Sequence, residues 1–255
     1  IGSGAFDYCT SLASITIPNG VTNIGDGAFG RCRSLTSVTI PNSVTNIGNG
    51  AFCYCTSLTN VTIGNSVTSI GYNAFENCTN ITIPDSVKSI GFEAFVGCTE
   101  LRNVTIGNSV KSIGNGAFNG CANLTSVTIP NSVTSIADST FENCTRLKSI
   151  TIPNNVISIG ENAFHDCFCL TSVIYLGNTE QWNAIKKGRS ALSAAQLKNV
   201  KCHEHSHALA WSNNATYHWH QCTDEACPVK DEPQAQDGCA LHKWKNGEAT
   251  YKWSA

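Results

Sequence analysis

Ala51-Phe52-Cys53-Tyr54-Cys55-Thr56-Ser57-Leu58-Thr59-Asn60-Val61-Thr62-Ile63, followed by Gly64-Asn65-Ser66-Val67-Thr68-Ser69-Ile70-Gly71, is one version of a phrase that recurs along most of the chain. The Ala-Phe pair, once Thr-Phe, begins at Ala5, Ala28, Ala51, Ala74, Ala94, Ala117, Thr140 and Ala163. Successive differences (28−5, 51−28 and so on) are 23, 23, 23, 20, 23, 23 and 23. A fixed period of this size, with Leu and Ile at fixed offsets, marks stacked coils that bury their apolar faces only against one another.

Each coil can be read residue by residue. Leu35-Thr36-Ser37-Val38-Thr39-Ile40 alternates from Ser37 onward, which predicts a strand with Leu35, Val38 and Ile40 inward and Thr36, Ser37 and Thr39 outward. Pro41-Asn42-Ser43 turns the chain, since Pro cannot continue a ladder. Val44 to Ile47 is a second extended piece, Gly48-Asn49-Gly50 a bend, and Ala51-Phe52 sends a ring into the core. The glycines suit corners where positive φ is needed. The expected fold is an all-β-rich repeat solenoid of the leucine-rich-repeat kind, with a 23-residue period over residues 1–175.

Cys9, Cys32, Cys55, Cys78, Cys98, Cys121, Cys144 and Cys167 each stand four residues after the Ala-Phe alanine, or after its Thr140 counterpart. Equivalent residues of adjacent coils lie about 4.8 Å apart. That is near enough to bridge, but the Cβ vectors then run parallel, which disulfide geometry disfavours. The column therefore reads as buried thiols acting as small hydrophobes. Cys53 and Cys169 stand outside it. One coil is irregular: Cys78-Thr79-Asn80-Ile81-Thr82-Ile83 lacks three residues, so a shortened first strand and a local kink are expected there.

Only 13% of the 255 residues are charged and the formal net charge is −2, so neither nucleic acid nor an anionic membrane surface is an expected partner. No apolar run approaches the roughly 18 residues of a membrane span. The chain opens on Ile1-Gly2, which matches the end of a repeat, and contains no Met, so the sequence reads as a fragment. There is no Gly-x-Ser-x-Gly elbow, phosphate-binding Gly loop or dinucleotide fingerprint, and the expectation is a chain that is not an enzyme.

The phrase Leu-x-Ser-Val-Thr-Ile-Pro-x-Ser-Val-Thr-x-Ile-Gly-x-x-Ala-Phe-x-x-Cys, as at Leu124 to Cys144 with departures at Ala137 and Thr140, resembles the BspA-like leucine-rich repeats of bacterial surface proteins. The resemblance covers roughly residues 1–175. It implies a secreted or cell-surface protein with a role in adhesion, whose partners are protein or glycan on host or neighbouring cells.

From Val173 the phrase breaks. Residues 176–200 read as a capping segment, with Thr179 as N-cap, a short helix over Glu180 to Ile185, a second near Ser190 to Leu197, and Trp182 as a lid. Residues 201–255 form a Cys/His/Trp-rich tail module, in which Trp211 to Trp219 and Trp244 to Trp253 are similar words. Cys222-x4-Cys227-x11-Cys239-x2-His242 suits a structural zinc site. Four tail cysteines in an exported protein suit two disulfides equally well.

The candidate binding surface is the outward face of the first strand. Its columns hold Thr36, Thr39, Asn60, Thr62, Asn103, Thr105, Thr128 and Thr151, with Arg102 and Lys148 as its few charges. Such a face suits extended protein or glycan held by many weak hydrogen bonds. A β-branched polar residue also belongs on an exposed strand face with no ligand at all, which makes a purely structural surface spacer the alternative. A regular Thr array leaves ice binding as a remote reading. Asn60, Asn80 and Asn103 are glycosylation sequons on this face.

Overall fold

The computed structural model describes residues 1–78 and 81–202 in full and, beyond them, the backbone of four strands. The chain divides into two compact units, Ile1–Cys202 and His203–Ala255.

In the first unit each full coil contributes two short strands to parallel stacks. The first strands of one stack are Ser37–Ile40, Asn60–Ile63 and Ile81–Thr82. A second stack takes over with Asn103–Thr105, Ser126–Thr128, Ser149–Ile152, Ser172–Tyr175 and Val200–Cys202. The other edge of the coils carries two-residue strands from Asn23–Ile24 to Ser112–Ile113, and then from Ser135–Ile136 to Lys186–Lys187. The deletion in the fourth coil has the expected local effect. Its first strand shrinks to Ile81–Thr82, and the ladder stops there. The second-strand stack crosses the same coil unbroken, Ser69 opposite Ser89 and Ser89 opposite Ser112. Three missing residues are thus absorbed on one face only.

The interior is a set of columns. Phe6, Phe29, Phe52, Phe75, Phe95, Phe118, Phe141 and Phe164 stack ring on ring, with centroids 5.1 to 5.7 Å apart and planes within 8° of parallel. Centroids further apart than the strand spacing mean offset rings, the favoured stacking geometry. The column cysteines are free thiols, buried from Cys32 onward. Each donates its S–H to the Phe carbonyl of the preceding coil, as Cys55 to Phe29 at 3.1 Å and Cys167 to Phe141 at 3.0 Å. The same carbonyl accepts the N–H of its own coil's Cys, Cys32 to Phe29 at 3.3 Å. The thiol therefore fills the second lone pair of a buried oxygen, which makes it a polar group as well as a filler. Burial pushes the Cys32 thiol up to about 11 and that of Cys55 to about 12.

Two backbone positions per coil are left-handed. One precedes Ala-Phe, with φ of 49° to 64°, and is Gly in four coils but Asn73, Glu93, Ser139 and Asn162 in the others. The second precedes the column Cys, with φ of 56° to 73°. The glycine after the second-strand Ile, present in every full coil but that of Ala137, has a different reason from the expected one. A Cβ on Gly48 would lie 2.7 Å from both the Gly25 carbonyl carbon and the Asp26 nitrogen, so close approach of coils excludes a side chain there.

The capping segment contains helix α1 (Thr179–Ala184) and helix α2 (Ala194–Lys198). Asn178, not Thr179, is the N-cap of α1, because its side chain accepts from the Gln181 N–H while Gln181 returns the bond. Trp182 is buried against Tyr175, with ring centroids 5.4 Å apart. The segment also holds a concealed ninth coil. Lys186–Lys187 pairs with Ser158–Ile159, Ala191 accepts from the Phe164 N–H, and Val200–Cys202 pairs with Val173–Tyr175. Ser190 takes the left-handed position before Ala191-Leu192, which stands where Ala-Phe would be. With no further Cys to come, buried Gln196 donates to the Phe164 and Cys167 carbonyls at 3.5 and 3.2 Å.

In the second unit the two similar words each form an antiparallel pair, His207–Asn213 with His218–Cys222 and His242–Lys245 with Glu248–Tyr251. Cys227 and Cys239 lie outside the described residues, as do the side chains of Cys222 and His242, so the zinc and disulfide readings of the tail fall there.

Candidate functional site: a polar channel along the first strands

The strand alternation sends Val38, Val61, Val104 and Val127 into the core and leaves Ser37, Thr39, Asn60, Thr62, Asn103, Thr105, Ser126 and Thr128 exposed. Because the ladders are in register, Thr39 stands opposite Thr62, Thr62 opposite Thr82, and Thr105 opposite Thr128. Pro or Gly then turns the chain, and the next residue raises a wall beside the strands: Asn19, Asn42, Asn65, Asp85 and Asn108. The wall is tied coil to coil. Asn42 Oδ1 accepts the Asn65 N–H at 2.8 Å, and Asp85 Oδ1 accepts that of Asn108 at 3.2 Å.

Between floor and wall run three cavities of about 670, 510 and 530 Å³. The first and second share Thr62, Ile63 and Asn65; the second and third share Asp85 and Thr105. They form one channel from Ser14 to Pro130, running across the strands.

The threonines fall into two sets. Thr59 donates its hydroxyl to the Thr36 carbonyl and Thr125 to that of Arg102, each at 3.2 Å; Thr36 itself reaches Ala13 at 3.4 Å. These sit one residue before the strand and stitch coils together. The channel threonines Thr39, Thr62, Thr105 and Thr128 make no side-chain hydrogen bond to a described residue, and all four line the channel.

Of the residues expected from sequence, Thr39, Thr62, Asn103, Thr105 and Thr128 line the channel. Asn60 is exposed on its strand but lines none of the three cavities, and Thr36 belongs to the stitching set. Thr151 is half-buried, one coil beyond the channel's end. Arg102 and Lys148 are exposed but occupy the stitching column, one residue before their strands, and line none of the cavities. Asn80 lies outside the described residues. The charge that does line the channel is Asp85, recognisable in the sequence as the single acid in a column of asparagines.

A second surface was not foreseen. The left-handed position before the column Cys is Gly, Asn or Asp in five coils but Tyr8, Arg31 and Tyr54 in the first three. Arg31 lies over both rings, with Cζ 4.6 Å from the Tyr8 centroid and 5.7 Å from that of Tyr54, and 3.5 Å from Asp7. Each of these three bulky residues takes a conformation disfavoured by about 1–2 kcal/mol, which the two cation–π contacts, at about 0.5–1 kcal/mol each, offset in part. Among the described residues no group of three or more His, Cys, Asp or Glu is placed to hold a metal ion. His165, exposed, has Asp166 at 3.5 Å and Glu142 at 3.7 Å.

The model of the BspA type leucine rich repeat region, in six copies, matches residues 1–82 and 77–185, and the chain belongs to this family. The fold is similar to that of the crystal structure of the T. pallidum leucine rich repeat protein, at 32% identity and a TM-score of 0.58, over 62% of this chain and 78% of that one. It is also similar to a leucine-rich repeat protein from Bacteroides ovatus ATCC 8483, at 27% identity and a TM-score of 0.53, over 72% of this chain and 62% of that one. This chain thus spans less than two thirds of the Bacteroides protein. No curated protein is a significant match.

Proposed function

From its membership of that family, we propose that the solenoid is a non-catalytic adhesion module, secreted or held at the cell surface, that binds an extended protein segment along the channel. The observation that carries this is the division of the threonines. The stitching hydroxyls are bonded within the fold, whereas the channel hydroxyls bond to no described residue and are open to a partner. A row of equivalent groups repeated about every 4.8 Å also suits a chain-like partner and supplies avidity by repetition.

The test replaces the hydroxyls and keeps the shape. Thr62→Val with Thr105→Val removes two donors at nearly constant volume. Against an array of purified host plasma and matrix proteins, the double variant is expected to lose about tenfold or more in affinity for whichever proteins the unmodified chain captures, at about 1 kcal/mol per hydrogen bond. Equal binding by both would remove the channel as the site. No capture by either would favour the surface spacer.

No described helix is long and apolar enough to cross a membrane. The sequon asparagine Asn103 lines the channel, so a sugar added there by a eukaryotic secretory host would obstruct it.

A further inference from the structure

The wall of the channel reads Asn19, Asn42, Asn65, Asp85 and Asn108, and Asn131 and Asn154 continue the same sequence column beyond it. At two of these positions a side-chain oxygen accepts the next coil's backbone N–H, Asn42 that of Asn65 and Asp85 that of Asn108. An amide does this as well as a carboxylate. The negative charge of Asp85 is therefore surplus to the fold.

Among the described residues the ion pairs join Arg31 to Asp7 and His165 to Glu142 and Asp166, and Asp85 takes part in none. Its position is central: it lines both the 510 Å³ and the 530 Å³ cavities, next to the point where the first-strand ladder stops at Ile81–Thr82 and resumes at Asn103–Thr105. The cationic side chains nominated from sequence, Arg102 and Lys148, stand in the other column and line none of the cavities. Among the described residues the channel is thus a long groove whose lining carries a single charge, the Asp85 carboxylate near its middle.

We propose that Asp85 is the specificity-determining residue of the channel and selects a partner segment that places a lysine or arginine opposite it. This rests on the reading of the channel as a protein-binding groove. The conservative variant is Asp85→Asn, which keeps the oxygen that holds Asn108 and removes only the charge.

The probe is a phage-displayed library of random peptides roughly a dozen residues long, enough at ~3.3 Å per residue to cross the channel. It is selected in parallel on the full chain and on Asp85→Asn. The expected result is enrichment of one Lys or Arg position on the unmodified chain and its absence on the variant. Single selected peptides should bind the variant about two- to fivefold more weakly, the range for a partly exposed ion pair. The difference should vanish at about 1 M salt, where screening acts over ~3 Å. Peptides enriched without a basic position, or with the same one on both proteins, would overturn the role of Asp85 and leave the channel reading standing. No enrichment over bare matrix on either protein would overturn both.

Discussion

The inner columns and the channel face are built from the same coils under opposite rules. Inside, each position meets a fixed partner in the adjacent coil: Phe on Phe, and Cys to the carbonyl of Phe. On the face, equivalent positions carry Thr, Asn, Ser or a lone Asp85 without disturbing the ladder beneath. Stacking constrains a residue only where the next coil touches its side chain. Columns that never vary therefore mark the fold, and exposed positions that break their column's habit mark places where something other than the fold selected the residue.

The sharpest way to break this contrast is to strike the core. Phe118→Ala in the middle of the ring stack removes a fully buried side chain with rings on both sides. A loss of about 3–5 kcal/mol is expected in urea unfolding. A loss below about 1 kcal/mol would mean the columns slide to refill the gap and are less constrained than argued.

The thiol column offers a pH test with a definite sign. The folded Cys55 thiol is held at about 12 by burial, above the 9.0 of the exposed group. The neutral thiol is what the fold binds, so the stabilisation is complete below pH 9. It is lost as pH rises from 9 towards 12, by about 1.4 kcal/mol per pH unit for this thiol. Thermal unfolding at pH 8 and pH 10 should show a clear fall in midpoint, and Cys55→Ala should reduce that fall. An unchanged midpoint would show that the thiol is not buried as a donor.

The smallest effect separates the two threonine sets. Thr59→Val removes a hydroxyl bonded to Thr36 and is expected to cost about 0.5–1.5 kcal/mol. Thr62→Val, on the channel, is expected to stay within about 0.5 kcal/mol of the unmodified chain. Equal costs would erase the distinction on which the channel reading rests.

Much of this was legible from residue order. The period located the coils, alternation assigned Val38 and Ile40 to the core and Thr39 to the surface, and the three residues missing after Cys78 foretold the interrupted strand. The ninth coil was not legible, because Leu192 replaces the expected Phe and helix α1 stretches the Ala-to-Ala spacing from 23 to 28 (191−163). Nor was the carboxylate of the channel picked out. Arg102 sits one residue from Asn103 in sequence, yet that single step moves it from the channel to the stitching column.

Sequence by itself determined the coil, its core columns and the family, because a side chain buried against its own repeat carries its environment in the period. Only the tertiary structure decided which threonines are spent on neighbouring coils, that Asp85 stands in the channel wall, and that Gln196 closes the end of the Cys column. Each depends on how far a side chain reaches across the gap to the next coil, a distance that no spacing along the chain records.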